Sequence, residues 1–174
     1  MREFDVEHAF GLVPDFRLAT LPFRPFQHLL KVEDQLACLA CIRHHLAPRG
    51  KLVLDIFNPS LPHLTGTHNA SELVGEEPEF TTSDGRKVRR THRIVSRDLV
   101  NQVQTIEMIY TIVHPHGRQE EVTHKFSMRY LFRFEAEHLL ARAGFKVEAL
   151  YSDYDGSPYG AKYPGELIFV ACKE

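Results

Sequence analysis

The chain has 174 residues, 43% of them hydrophobic, which suits one domain over residues 1–174 with a sizeable buried core. Its net charge of −2, with both signs mixed, gives no electrostatic footprint for nucleic acid or a membrane surface. No apolar run nears the ~20 residues of a membrane span, MREFDVEH lacks the apolar centre of a signal peptide, and three cysteines are too few for a disulfide framework, so a reducing cytoplasm is the expected location.

Met1 to Asp15 carries Phe4, Val6, Phe10, Leu12 and Val13 without a clean period. Nothing in it resembles a phosphate-binding loop, and Gly11 is the only glycine before Gly50. Phe16 to Leu21 then reads as a buried strand, and Pro22 to His28 as a turn. An amphipathic helix is predicted from Glu33 to Leu46, with Leu36, Leu39, Ala40 and Leu46 on one stripe and Ile42 beside it. Glu33 and Asp34 favour its first turn, Arg43, His44 and His45 its last. Pro48 and Gly50 should end it. Lys51 to Phe57 is a second buried strand that stops at Asn58-Pro59.

Apolar run, helix, apolar run is the pattern of a βαβ unit in a parallel sheet. Ligands in such sheets sit beyond the carboxyl ends of the strands. Pro22–His28 and Asn58-Pro59 should therefore share one rim. Cys38 and Cys41 form a CxxC inside the helix, with no second pair to complete a zinc site, and read as small buried residues on a helix face. Cys172, in a terminal apolar strand, reads as core.

Ser60 to Pro78 is polar and loop-like, with a weak helical signal at Ser71–Leu73. From residue 79 the pattern alternates. Asp84-Gly85 is a hairpin turn, and Val88–Arg97, Gln102–His114 and Glu120–Phe132 read as three antiparallel strands, with Phe80–Thr82 as a fourth. His114-Pro115-His116-Gly117 is a turn between two of them. The basic run Gly85–Arg93 alternates with apolar residues as the solvated face of a strand does. This meander, residues 79–133, is an insertion of the kind that roofs a ligand site. Phe134–Gly144 returns to helix with Gly144 as its stop, Phe145–Tyr151 is a strand, Ser152–Gly165 a tyrosine-rich loop, and Glu166–Cys172 a last strand pairing antiparallel with its predecessor.

The stretches PFRPFQHL, EDQLACLACIRHHLAPRGKLVLDIFNP, FSMRYLFRFEAEHLLARAGFKVEALYSDYDGSPY and ELIFVACK, in this order, resemble class I S-adenosylmethionine-dependent methyltransferases. The likeness runs from the fourth strand of that fold to its final antiparallel pair, roughly Phe16 to Lys173. It implies an α/β fold: a partial Rossmann-like sheet over residues 16–59 and 134–174, with the inserted antiparallel meander. It also implies methyl transfer to a small molecule with S-adenosylmethionine as cofactor. The family's glycine-rich loop and the acidic residues that grip the cofactor have no counterpart here, although Met1-Arg2-Glu3-Phe4 is similar to the segment after the adenine-reading Asp. The resemblance thus implies a C-terminal portion that is inactive or binds cofactor weakly by itself.

The same likeness implies that strand 16–21 lies bare where the full fold would pair it, at a cost of a few ladder bonds of about 0.5–1.5 kcal/mol each. An unpaired apolar edge invites a second copy, so a homodimer through strand 16–21 or by element exchange is expected. A second reading is a non-catalytic half-fold serving as a binding or dimerisation module.

Pro22, Phe23 and Phe26 occupy positions that in the family lie near the cofactor; as structural residues they would bury the loop. His28, with an ordinary pKa near ~6.5, suits a general base at the rim, or packs between strand end and helix. Asn58 is placed to contact substrate or to cap the turn before Pro59. Arg129, Tyr130 and Arg133 are candidates for an anionic acceptor, or a solvated face. Tyr151, Tyr154 and Tyr159 either line a pocket or cover a core edge. The eleven histidines show no metal-ligand spacing, and no metal is expected.

Overall fold

The computed structural model describes residues 16–65, 75–76 and 78–174. The Met1–Asp15 stretch and the helical signal at Ser71–Leu73 lie outside them. In chain order the elements are β1 (Phe16–Leu21), a one-turn 3-10 helix (Pro25–His28), α1 (Val32–His45), β2 (Leu46–Phe57), α2 (Leu61–Thr65), β3 (Gly75–Glu76), β4 (Phe80–Thr81), β5 (Lys87–Asp98), β6 (Val103–Val113), β7 (Gln119–Arg129), α3 (Arg133–Arg142), β8 (Phe145–Tyr151) and β9 (Glu166–Lys173). They divide into two compact units, one of residues up to Pro59 with Leu131–Glu174, the other Ser60–Tyr130.

The first unit holds a sheet in the order β1-β2-β9-β8. β1 runs parallel to β2, and β9 is antiparallel to both its neighbours. Side chains alternate across a strand. Leu52, Leu54 and Ile56 of β2, with Leu167, Phe169 and Ala171 of β9, therefore share one face. They form one core with Leu39 of α1, Ala136 and Leu140 of α3, Phe26 and Phe145. Each such apolar side chain contributes about 1.5–3 kcal/mol when fully buried. Both helices thus cover the same face. The opposite face carries Val53, Asp55 and Phe57 of β2 beside Glu166, Ile168 and Val170 of β9, and Val53, Phe57 and Val170 are half-buried.

Two local readings change. The inward stripe of α1 is Gln35, Cys38, Leu39 and Ile42, whereas Ala40 and Cys41 are exposed. A polar residue tolerates that position because Gln35 Nε2 donates to the carbonyl of Leu29 at 2.9 Å, and a buried amide with a partner costs little. The helix also stops at His45, and Leu46 turns directly into the extended conformation of β2. Phe16 pairs with Leu46 but Leu18 with Lys51, so the residues around Pro48 form a bulge. Proline is tolerated at bulges because it owes the ladder no N–H there. The bulge is why β2 starts five residues before the predicted Lys51. At the other end of the unit, Gly144 stops α3 at φ 79, as its sequence position predicts.

The second unit is a five-stranded antiparallel sheet, β3-β5-β6-β7 with β4 also on β5. The Asp84-Gly85 turn joins β4 to β5, and Gly117 donates to the carbonyl of His114 at 2.9 Å in the turn before β7. One face carries polar cross-strand pairs: Arg93 Nε to Glu107 Oε2 at 2.7 Å, and Thr105 with Ser127 at 3.0 Å. Three cations of the basic run before β6 are paired, Arg86 with Asp84, Lys87 with Glu79 and Arg93 with Glu107. The loop expected at Ser60–Pro78 contains α2, a single turn that its composition did not announce.

Candidate functional site

The carboxyl ends of β1, β2 and β8 point the same way, and the antiparallel β9 begins where they end. Pro22–His28, Asn58-Pro59, the 152–165 loop and Glu166 consequently meet at one rim of the first unit. The centre of that rim is Asp55. It interrupts the apolar run of β2 and is 2% exposed. Its Oδ2 accepts the backbone N–H of Phe23 at 3.0 Å and the hydroxyl of Tyr154. Its Oδ1 is buried and has no hydrogen-bond partner among the described residues.

The Phe23 N–H faces Asp55 because the chain reverses sharply after β1. Phe23 and Arg24 both take left-handed backbone, φ 63 and φ 64, an uncommon conformation for residues with a Cβ. Two bonds hold that turn against strain. One is the Asp55 carboxylate on Phe23, and the other is the ion pair of Arg24 with Glu166 at the start of β9. Glu166 Oε2, like Asp55 Oδ1, is buried without a partner among the described residues. Burial pushes the Glu166 carboxyl up, against the opposing pull of the Arg24 guanidinium. Desolvation, followed by the hydrogen bond to Asp55, holds the Tyr154 phenol up at about 12. The hydroxyl therefore remains a donor at every working pH. Beneath the turn, buried Gln27 accepts the N–H of Phe57 at 3.0 Å, tying the 3-10 helix to the end of β2.

The 152–165 loop is internally braced. Lys162 bridges Asp153 and Asp155, Ser152 Oγ donates to the carbonyl of Pro158 at 3.0 Å, and Asn58 Nδ2 donates to the carbonyl of Pro164. Arg133, at the start of α3, lies 4.7 Å over the ring of Tyr159 and binds Glu137 at 2.8 Å.

The sequence candidates distribute unevenly over this geometry. Pro22 and Phe23 lie on the rim, and Phe23 is 88% exposed. Phe26 is 1% exposed and packs in the core with Leu39 and Leu140. His28 ends the 3-10 helix with its side chain exposed. Asn58 and Arg133 belong to the same unit, and both engage the loop after β8. Arg129 and Tyr130 belong to the second unit. Arg129 closes β7 opposite Val103, and Tyr130, buried, donates its N–H to the carbonyl of Gln102 at 2.9 Å. Sequence reasoning missed Asp55, Glu166 and Arg24, and it named Tyr154 as a pocket liner or a core cover without its partner Asp55. One signal was present, a carboxylate inside the apolar run LVLDIF, where an acid is rarely tolerated without a task or a partner.

The described residues suit an adenosyl cofactor poorly. Between Phe16 and Gly50 the chain has no glycine at which backbone could approach a ligand closely, and Gly50 itself is packed within β2 against Ala47 and Phe16. Pro22 and Phe23, the sequence candidates for such a site, stand exposed on the rim. No group of three or more His, Cys, Asp or Glu that could hold a metal ion occurs among the described residues. A groove of about 490 Å³ between α1 and α3, lined by Arg43, His44 and Arg142, opens at the other end of the strands. There Arg43 is already committed to the backbone carbonyls of Gly144 and Glu174.

No protein-family model matches the chain, and no curated protein matches it. Solved structures do. An amino pentose methyltransferase from Micromonospora echinaspora, with S-adenosylmethionine bound, is 22% identical at a TM-score of 0.64, covering 95% of this chain and 61% of its own. An S-adenosylmethionine-dependent methyltransferase from Clostridium acetobutylicum is 11% identical at 0.67, covering 93% and 60%. A sugar N-methyltransferase from Streptoalloteichus is 18% identical at 0.63, covering 95% and 59%. The fold is that of class I methyltransferases, and the chain spans about 60% of the length of these structures.

Proposed function

We propose that the chain carries the C-terminal, acceptor-facing portion of an S-adenosylmethionine-dependent methyltransferase acting on a small molecule. The observation that carries this reading is fold likeness along 93–95% of the chain to the three methyltransferases described above. The rim at the strand ends supports it, because in open α/β sheets ligands bind there. In this reading Pro22 and Phe23 form a wall on the cofactor side and Phe26 supports them from the core. His28 is the base that takes a proton from the acceptor. Asn58 and Arg133 brace the loop after β8 over the acceptor. The three free thiols, Cys38, Cys41 and Cys172, accord with a cytoplasmic protein.

Isothermal titration of the chain with S-adenosylmethionine tests the proposal. Saturable heat, weak because one wall is a poor substitute for a cradle, is expected. No heat at millimolar cofactor would favour the second reading, a non-catalytic module that assembles with a second copy.

One specific feature favours that second reading. Among the described residues β1 pairs on one side alone, with β2, and its Phe16 and Leu18 side chains are 46% and 56% exposed. We propose that this edge joins the β1 edge of another copy, since a row of unsatisfied backbone groups beside exposed apolar side chains is a template for strand pairing. Sedimentation should then give a dimer at tens of micromolar, and Leu18→Lys should return it to monomer. A clean monomer at high concentration overturns the dimer.

A further inference from the structure

We propose that Arg97 and Gln104 form a seat for the carboxylate of a small organic acid, a site within the second unit that stands whether or not the methyltransferase reading does. The two residues are direct partners across the β5–β6 pair, so they share one face of the sheet. Gln104 is 3% exposed, and its Nε2 is buried without a hydrogen-bond partner among the described residues. Arg97 is half-buried, and its Nε and Nη2 are buried and equally without a partner there. Nor does Arg97 enter any ion pair among the described residues. Its neighbour Asp98 pairs with Val103 and so belongs to the opposite face, where it accepts the backbone N–H and the side-chain amide of Asn101 at 2.9 and 2.7 Å.

Three unmatched donors side by side are a specific deficit. A guanidinium keeps its charge at every working pH, so it cannot shed a proton when burial makes the charge costly. A counter-charge that also accepts hydrogen bonds relieves it. Nε and Nη2 lie on one edge of the guanidinium with their N–H bonds parallel, the fork that takes both oxygens of a carboxylate at once. Gln104 Nε2 supplies a third bond to one of those oxygens. The charge balances as well, one guanidinium against one monoanion. A phosphate monoester carries more than one negative charge and would leave an excess in a buried place.

The surroundings describe the rest of the ligand. Met128 stands beside Gln104 on β7, and the next row on the same face is Ile94, Ile106 and Phe126, with Ile94 buried. An apolar body attached to the carboxylate would lie along that row. Only the Asp98–Val103 pair separates the seat from the turn at residues 99–102, where Leu99 and Val100 are exposed. The acid can therefore enter from the end of the sheet without parting the strands.

The test is titration of the chain with benzoate, benzamide and phenyl phosphate, followed by the chemical shifts of the Arg97 Nε–H and the Gln104 side-chain amide. Benzoate should bind saturably and move both signals. Benzamide, of the same shape without the charge, should bind about tenfold more weakly or worse, and phenyl phosphate should also bind more weakly than benzoate. Arg97→Lys keeps the charge and loses the fork, and should weaken benzoate about tenfold or more. Should that variant fail to fold, Gln104→Leu, which removes the third donor, should weaken benzoate severalfold. No binding at millimolar benzoate, equal affinity for benzoate and benzamide, tighter binding of phenyl phosphate, or an unchanged affinity in a folded Arg97→Lys or Gln104→Leu variant overturns the proposal. Shifts confined to residues away from the β5–β6 pair overturn it too.

Discussion

The carboxylate of Asp55, on the second strand, receives the backbone N–H of Phe23, 32 residues earlier in the chain, at 3.0 Å. Phe23 stands in left-handed backbone, which costs energy for any residue with a Cβ, so the bond holds a turn that the local sequence would not choose. Replacing Asp55 by Ala removes two accepted hydrogen bonds, each worth about 1.5–3 kcal/mol when the acceptor is charged. It also relieves the cost of the unmatched Oδ1, which offsets part of the loss. The expected net effect is about 1–3 kcal/mol of destabilisation, read by urea unfolding. A stability within 0.5 kcal/mol of the parent would mean the turn holds without Asp55.

Gly50 is required for space and not for its backbone angle. A Cβ there would lie 2.9 Å from the carbonyl oxygen of Ala47 and 3.0 Å from that of Phe16. Both are backbone atoms of the bulge between β1 and β2 and neither yields as a flexible side chain would. Gly50→Ala should cost about 1–3 kcal/mol, measured as a lowered urea midpoint with an unchanged slope.

The core prediction is a contrast. Leu140 of α3 is fully buried and touches the shared core of both helices and the sheet, so Leu140→Ala should cost about 2–5 kcal/mol. Val100, in the turn between β5 and β6, is 90% exposed, and Val100→Ala should leave stability within about 0.5 kcal/mol. Equal effects in thermal melts would contradict the packing described.

The Glu166 carboxyl is raised above its ordinary value of 4.5 by burial. For a raised acid the folded state binds the proton more tightly than the unfolded state. The stability this contributes is therefore full below about 4.5 and lost as the pH climbs through the folded value. Glu166→Gln cannot titrate, so its melting temperature relative to the parent should rise as the pH is taken from 4 to 7. A difference that stays flat over that range, or falls, would show that Glu166 is not the desolvated group.

How much was legible in the sequence follows from the range of the forces involved. Strand and helix existence depends on local periodicity, and the alternation of β5, β6 and β7, the apolar run of β2 and the Gly144 stop are local signals. The order of those pieces was enough to suggest the methyltransferase fold. Boundaries fared worse where two segments negotiated them. The helix α1 ends at His45 because Leu46 is claimed by Phe16 of β1, a partner thirty residues away.

The chemistry of the rim shows the same division. Composition and order placed Pro22, Phe23, His28 and Asn58 near strand ends, since a strand's end is readable from its own residues. That Phe26 turns into the core while Phe23 stands in solvent was not readable, because both are phenylalanines of one short turn. Nor was the meeting of Asp55 with Tyr154 and of Arg24 with Glu166, separated by 99 and 142 residues. The sequence alone determined the long strands and helices and which ends of the strands share a rim, because hydrophobic periodicity is a local property. Tertiary structure alone decided which polar groups are buried together there and which of their oxygens lack a donor among the described residues, because burial and charge are properties of neighbours in space.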